Sequence, residues 1–282
     1  METQNNTAPA GMPGFSIAQQ QYLQGFFAGV AQRGVMAFAG QSAANQTAAR
    51  QIASGPANQA TEEAEPTWFG TPLSELCREE RWKQEENALD IWEKLVAHAN
   101  EDKTPAPDDL FRFKFHGLFH VAPAQDSGML RLRVPGGIVN AHQLRGLARM
   151  ALHCGCGHAE LTTRSNLQIR ELRPKDIIRV LSKIQDLGMT SRGSGADNVR
   201  NITASPITGI DPEELYDVAP LADALNRYIL NSRDLYGLPR KFNIAFDNGG
   251  AISVLADTND IGFVAVRVND GHGIPAAVYF RV

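Results

Sequence analysis

Apolar and charged side chains alternate along Met129-Leu130-Arg131-Leu132-Arg133-Val134, and the strand breakers Pro135-Gly136-Gly137 follow at once. In a β-strand, successive side chains point to opposite faces of the sheet. The leucines and the valine therefore share one face, and Arg131 and Arg133 share the other. We predict a half-buried strand whose two arginines point away from the core.

The residues after this strand predict two helices and a second strand. Asn140 suits the N-cap position of the first helix, a strand runs from about Glu160 to Arg170, and the second helix ends at Gly188. The apolar stripes of the two helices are Leu144, Leu147, Ala148 and Ala151, and then Ile177, Val180, Leu181, Ile184 and Leu187. This order predicts an α+β, ferredoxin-like half-domain over residues 109–190, with its helices on one face of the sheet.

Two segments precede the half-domain. Residues 1–65 are rich in Ala, Gln, Gly, Asn and Thr, which is typical of a low-complexity segment, although Ile17–Val30 has helical periodicity. Residues 66–108 predict a helical N-terminal arm and a proline-rich linker. The apolar face of this arm is Ala88, Ile91, Trp92 and Leu95.

Residues 191–282 predict a second domain. A loop rich in Gly, Ser and Asn opens it, and a helix from about Leu221 to Tyr236 follows. The predicted strands are Lys241–Phe246, Ala251–Ala256, Gly262–Val268 and Ala276–Val282. The last strand reaches the end of the chain, so we expect this domain to be truncated.

Composition and charge limit the possible functions. The 282 residues are 43% hydrophobic and 21% charged, with 27 basic and 31 acidic side chains and a net charge of −4. This balance offers no general attraction to nucleic acid or to an anionic membrane. Because there are only three cysteines, no secretory signal and no long apolar run, we expect a cytoplasmic protein without a disulfide framework.

Four segments nevertheless concentrate basic and polar groups. They are Arg131 with Arg133, then Thr162–Arg170, then Asp197–Asn201, and finally Leu238–Asn243. Taken singly, each arginine or lysine is most simply a solvated surface residue. If the segments converge, they form a local trap for a carboxylate or a small oxyanion, which arginine binds with two parallel hydrogen bonds.

These four segments, in this order and preceded by Phe113–Phe119, resemble the siroheme-containing nitrite and sulfite reductase family. The resemblance extends over roughly residues 66–282. It implies an α+β chain in which a ferredoxin-like half-domain is followed by the start of a siroheme-binding α/β domain. It also implies that the chain is the amino-terminal half of a reductase that converts nitrite to ammonia.

The resemblance assigns roles to individual residues. It implies that Arg131, Arg200 and Lys241 bind and protonate the substrate, and that Asn243 tunes the charge of the pocket. Asn243 stands where similar sulfite reductases carry a second lysine, and a less cationic pocket suits nitrite better than a dianion. The residues expected to contact siroheme are Thr162, Thr163, Arg164, Asn166, Gln168, Arg170 and Asn201.

The expected cofactors are siroheme and a 4Fe-4S cluster, and the expected electron donor is a ferredoxin. Such a cluster takes four cysteine ligands, so its ligands are expected in the missing carboxy-terminal half, and the chain alone is expected to be inactive. Cys154 and Cys156 lie beside His158, but this cluster is too small for a closed metal site. We interpret it as a turn with small buried thiols.

Two alternatives stay open from the sequence. The first is a sulfite reductase of the same family, since another side chain can compensate for Asn243. The second is a non-catalytic ferredoxin-like module that binds a small anion, because a fold alone does not fix a function.

Overall fold

The computed structural model describes residues 65–102, 105–120, 127–269 and 276–282. The predicted helix at Ile17–Val30 lies outside the described residues. The chain divides into two compact units, 1–75 and 76–282. In the first unit, β1 (Thr67–Trp68) and β2 (Thr71–Pro72) form an antiparallel hairpin, and a 3-10 helix (Leu73–Glu75) follows. No helix among the described residues is long and apolar enough to cross a membrane.

The second unit contains six α-helices and eight strands within its described residues. The helices are α1 (Arg78–Glu85), α2 (Trp92–Glu101), α3 (Pro107–Phe113), α4 (Ala141–Cys154), α5 (Ile177–Asp186) and α6 (Ala219–Asn231). The strands are β3 (Leu118–His120), β4 (Gly128–Arg131), β5 (Ala159–Leu161), β6 (Leu167–Leu172), β7 (Val199–Ala204), β8 (Phe242–Asp247), β9 (Ile261–Val268) and β10 (Ala277–Arg281).

The first sheet has the antiparallel order β3-β4-β6-β5. A single bridge between Arg133 and Thr190 adds a further antiparallel contact after β4. Leu130 and Ile169 are fully buried on the face that packs against α4 and α5. Their neighbours in the sequence, Arg131 and Gln168, therefore point to the opposite face of the sheet. The predicted α+β class and the helices on one face are confirmed.

Two helices bury different stripes from those predicted. In α4 the buried residues are Leu147, Met150 and Ala151, whereas Leu144 and Ala148 are exposed. The predicted N-cap is confirmed: Asn140 accepts a hydrogen bond from the Gln143 amide in a complete capping box. In the helical arm, Trp92 begins α2 and is exposed, while the three residues predicted with it are buried: Ala88, Ile91 and Leu95.

The predicted strand from Glu160 to Arg170 is in fact a hairpin, since residues 162–166 form the turn between β5 and β6. The β6 strand also carries a β-bulge. Leu130 pairs with Ile169 and Gly128 pairs with Leu172, so that Arg170 and Glu171 together oppose one residue of β4. Glu171 has a positive φ of 59° at this bulge.

The segment Phe113–Phe119 does not form a single strand. It ends α3, passes through a 3-10 helix (Lys114–His116) and enters β3. Phe113 and Phe115 are buried in two different core clusters. Its aromatic residues therefore join the helical arm to the first sheet.

The second sheet has the order β10-β9-β8-β7, with β7, β8 and β9 parallel and β10 antiparallel. The helix α6 crosses from β7 to β8 and packs its Ala222 and Ile229 into the core of this sheet. The predicted strand Ala251–Ala256 does not form. Its backbone amides at Ala251 and Val254 donate to the carboxylates of Asp211 (2.7 Å) and Asp247 (2.9 Å) instead of joining a ladder.

Arg133 corrects the prediction that both arginines of the first strand point away from the core. Its side chain is 2% exposed, and its Nε donates to Asn226 Oδ1 of α6 at 3.0 Å. It also donates to the carbonyls of Val199 and Gly193. Burial lowers the pKa of this guanidinium to about 10. Arg133 therefore joins the first sheet to the second and leaves Arg131 as the open arginine of the pair.

The helical arm packs on the loop between the two sheets. Lys83 of α1 has a side chain only 4% exposed, forms an ion pair with Asp197 at 2.8 Å, and donates to the Leu238 carbonyl at 2.9 Å. Asp197 is therefore paired with the arm through Lys83, which also forms an ion pair with Glu80.

Candidate functional site

A row of polar side chains crosses the first sheet on the face opposite α4 and α5. The register pairs Arg131 of β4 with Gln168 of β6, and Gln168 with Glu160 of β5. Residues paired in adjacent antiparallel strands have side chains within contact distance. The sheet register therefore brings an arginine, an amide and a carboxylate side by side.

Arg131 is held on two sides. Its guanidinium lies over the Phe119 ring, 4.4 Å from the ring centroid. With the Gln168 amide oriented so that its oxygen faces the arginine, this oxygen accepts from Nε at 3.0 Å and from Nη2 at 3.1 Å. Among the described residues, Nη1 has no hydrogen-bond partner. The protein thus fixes the guanidinium and leaves one nitrogen for a ligand.

Arg200 approaches from the second sheet. It lies in β7, close to the register shift between Val199 and Ile202, and its Nε donates to the Ala196 carbonyl at 2.9 Å. Burial, and after it the charges of Arg200 and Arg170, lower the pKa of Arg131. Burial lowers the pKa of Arg200 as well, against the opposing charge of Asp197. Two basic stations far apart in sequence therefore converge.

Arg170 completes what we call the arginine cluster, defined as Arg131, Arg170 and Arg200. It lies at the bulge of β6, and its Nε donates to Glu160 Oε2 at 2.6 Å. Both side chains of this ion pair remain partly exposed. Three like charges in a partly buried site repel one another, and an anion bound among them offsets that repulsion.

The turn between β5 and β6 joins the two sheets. Thr162 caps it: its Oγ1 accepts from the amides of Arg164 (3.3 Å) and Asn166 (3.0 Å). Thr163 is exposed. The Arg164 guanidinium donates to Asn259 Oδ1, beyond β8 in the sequence. The turn is therefore rigid at its base and presents Thr163 and Arg164 at its tip.

Asn201 anchors this turn from the other side. Its Nδ2 donates to the carbonyls of Val134 and Arg164, each at 2.9 Å, so both amide protons are engaged. The Oδ1 atoms of Asn201 and Asn166 are buried and have no partner within the described part of the chain. These orphaned acceptors call for a donor from water or from a bound group.

Lys241 and Asn243 lie at the start of the predicted strand Lys241–Phe246, but the structure does not join them to the arginine cluster. Lys241 is exposed and makes no side-chain hydrogen bond or ion pair with another described residue. Asn243 donates from its backbone amide to Asp260 Oδ2 at 2.7 Å, and Arg240 pairs with Asp260 Oδ1 at 2.6 Å. The charge near Asn243 is therefore partly balanced by Asp260.

The residues around Cys156 form no metal site. The turn between α4 and β5 is confirmed, but the thiols of Cys154 and Cys156 are half-buried rather than buried. Arg179 donates to Cys154 Sγ at 3.0 Å. Within the described residues, no group of three or more His, Cys, Asp or Glu side chains could hold a metal ion.

Two residues of this site were missed from the sequence, Phe119 and Glu160. Phe119 belongs to the segment Phe113–Phe119, which has three phenylalanines, and nothing in that segment predicts which ring contacts Arg131. Glu160 could have been found, because a hairpin turn at residues 162–166 places it across from Gln168. The reading of Glu160–Arg170 as one strand hid that pairing.

The donor set fits a group fringed with carboxylates. Thr163, Arg164 and Arg170 offer a hydroxyl and two guanidinium groups at the turn and the bulge. Gln168 and Asn201 fit it less directly, since each is already engaged with the protein. These two amides therefore act through the groups that they hold.

The fold and the site together define a class of protein: an α+β unit with a ferredoxin-like sheet whose open face carries a cluster of arginines. Residues 121–187 match the model of the nitrite/sulfite reductase ferredoxin-like half domain, and residues 195–278 match that of the nitrite and sulphite reductase 4Fe-4S domain. The chain belongs to the nitrite and sulfite reductase family.

The curated relatives agree with this assignment. The chain is 38% identical over 196 residues to a ferredoxin–nitrite reductase of Leptolyngbya laminosa, and 36% identical over 196 residues to one of Synechococcus elongatus. Each alignment covers 67% of this chain and 38% of the relative. A chloroplastic ferredoxin–nitrite reductase of Arabidopsis thaliana is 38% identical over 195 residues, which are 67% of this chain and 33% of that protein.

A solved structure shows the same fold. The NirA protein of Mycobacterium tuberculosis superposes with a TM-score of 0.60 at 21% identity, over 71% of this chain and 42% of that chain. The chain thus spans well under half the length of the relatives that it matches.

Proposed function

We propose that the complete protein reduces nitrite to ammonia, with nitrite bound by Arg131 and Arg200 of the arginine cluster. The observation that carries this proposal is the convergence of Arg131, Arg170 and Arg200 on one partly buried site in a chain of net charge −4. The relatives named ferredoxin–nitrite reductase support nitrite over sulfite and over a non-catalytic module. In the reaction both oxygens leave as water, with electrons from a ferredoxin and protons from solvent.

The residues of this chain contribute charge, orientation and protons. Arg131 and Arg200 bind the anion and stabilise the charge that develops as its oxygens are protonated. The Arg131 guanidinium stays charged, and its Nη1, which has no partner among the described residues, can donate a hydrogen bond to the bound anion. The resemblance to the family, rather than a contact in this chain, supports Lys241 as a further proton donor and Asn243 as the residue that keeps the pocket less cationic than a lysine would.

The predicted cofactors fit this arrangement. Siroheme and a 4Fe-4S cluster supply the electron-transfer chemistry when bound. Thr163, Arg164 and Arg170 would hold siroheme carboxylates, while Thr162, Asn166, Gln168 and Asn201 shape and fix the wall from which they project. All three cysteines are free thiols, which suits a reducing compartment such as the cytoplasm.

The test is Arg200→Ala in the complete protein. We expect kcat/KM for nitrite to fall about tenfold or more, because one charge-assisted contact to the substrate is lost. The siroheme absorption spectrum should stay in place. Arg227→Ala, which removes an exposed arginine of α6 paired with Asp223, is the control and should leave turnover unchanged. Unaltered nitrite turnover in Arg200→Ala would contradict the proposal.

A further inference from the structure

The arginine cluster contains one carboxylate. Among the described residues, Glu160 is the only acidic side chain within 4.0 Å of a cationic nitrogen of Arg131, Arg170 or Arg200. Its Oε2 lies 2.6 Å from Arg170 Nε. Asp197 acts on Arg200 through its charge, without an ion pair between them, and it shares the buried Lys83 with Glu80. Glu160 is therefore the described acid that contacts this cluster directly.

The sheet fixes the position of Glu160. It faces Gln168 across β5 and β6, and Gln168 faces Arg131 across β6 and β4. Arg170 lies two residues from Gln168, at the bulge that interrupts the ladder. A bulge commonly redirects the side chain that it carries. The carboxylate is thus placed by backbone pairing rather than by a flexible loop.

An anion in the cluster interacts with this carboxylate as well as with the arginines. Coulomb repulsion is proportional to the product of the charges, so a dianion is repelled twice as strongly as a monoanion at the same distance. The ion pair between Glu160 and Arg170 also offsets one of the three positive charges that attract an anion to the site. Both effects weaken the binding of divalent anions more than the binding of monovalent anions.

We propose that Glu160 is a specificity-determining residue, whose charge weakens the binding of divalent anions at the arginine cluster more than the binding of monovalent anions. This inference rests on the proposed function, since it takes the cluster to be the anion site. It assigns selectivity to a residue outside the set that contacts substrate or cofactor.

The experiment measures anion binding by the complete protein without turnover. Sodium nitrate and sodium sulfate serve as monovalent and divalent probes, and binding is followed as the increase in melting temperature at constant ionic strength. In Glu160→Gln we expect nitrate to bind about threefold more tightly, and sulfate about tenfold, which is roughly the square of the first factor. Glu160→Asp keeps the charge and should keep the wild-type preference.

Two further variants separate the possible failures. Asp223→Asn changes net charge by the same amount on α6, and neither probe should bind differently. Arg131→Ala should weaken both probes. If Arg131→Ala weakens both but Glu160→Gln leaves their ratio unchanged, Glu160 only braces the hairpin and the inference is wrong. If Arg131→Ala affects neither probe, the cluster is not the anion site and the proposed function fails with it.

Discussion

Arg131 offers a ligand a guanidinium that is already oriented. The Phe119 ring covers one face, and the Gln168 oxygen occupies two of its nitrogens. A flexible arginine would lose rotamer entropy on binding an anion, whereas this one has lost it during folding. The binding site thus gains affinity from the sheet that carries it.

The partly buried histidine His116 gives the stability of the fold a dependence on pH. His116 forms a 2.8 Å hydrogen bond from its Nε2 to the Ala88 carbonyl. Burial, together with the nearby charge of Arg192, lowers the pKa of His116 in spite of that bond. The unfolded chain therefore takes up a proton at a higher pH than the folded chain does.

We predict that the free energy of unfolding falls as the pH drops below about 6.5, the unfolded pKa of histidine. One proton limits this contribution to about 1.4 kcal/mol per pH unit. Calorimetry at about pH 7.5 and pH 5.5 checks it: the loss of melting temperature should be smaller in His116→Gln than in the wild type. An equal loss in both proteins would show that other groups cause it.

Individual residues show where sequence analysis reaches its limit. Alternation along Met129–Val134 predicts that Arg131 and Arg133 both point away from the core, but it does not show what covers each of them. Asn226 and the carbonyls that bury Arg133 come from residues 193–226, far along the chain. The pattern of residues likewise does not show that Gln168, predicted as a cofactor contact, accepts hydrogen bonds from Arg131.

At the scale of elements, periodicity predicted the helices well and the strands less well. Four of the five residues predicted for the buried stripe of α5 are buried: Ile177, Val180, Leu181 and Ile184. The fifth, Leu187, follows the helix and is half-buried. The β5–β6 turn was missed because Thr162–Asn166 contains neither Gly nor Pro. Its reversal depends on the Thr162 hydroxyl and on a positive φ at Ser165, which composition does not reveal.

The bulge in β6 carries backbone strain that can be relieved. Glu171 is exposed and has a φ of 59°, a conformation that costs a residue with a Cβ atom about 1–2 kcal/mol. We predict that Glu171→Gly raises the free energy of unfolding by about 0.5 kcal/mol, since the relief exceeds the entropy lost by glycine. Thermal unfolding of the complete protein measures this change.

The matched control is Glu93→Gly in α2, another exposed glutamate, in ordinary helical conformation. Glycine there should cost about 1 kcal/mol. Two destabilised variants would mean that the bulge at Glu171 is not strained.

At the scale of the molecule, three side chains hold the two sheets together. Arg133 reaches α6, Asn201 reaches the β5–β6 turn, and Arg164 reaches Asn259. The arginine cluster lies where these connections meet, because Arg131 and Arg170 come from one sheet and Arg200 from the other. A change in this junction should therefore alter both stability and anion binding.

We predict that Arg133→Met lowers the free energy of unfolding by about 2–4 kcal/mol. The methionine fills part of the volume but leaves the carbonyls of Gly193 and Val199 and the Asn226 oxygen without their donor. Thermal unfolding measures it, with Arg149→Met on the exposed face of α4 as the control, expected within about 0.5 kcal/mol of wild type. A loss no larger than that of the control would refute the role of Arg133 as a junction.

The burial of Arg133 also has a consequence during synthesis of the chain. Its acceptor on α6 lies 93 residues further along the sequence. When the first sheet has left the ribosome, that partner has not yet been translated, and the guanidinium must stay hydrated. Arg133 therefore reaches its final place only after its acceptors between residues 193 and 226 have been translated, so that the order of translation delays the packing of the two sheets against each other.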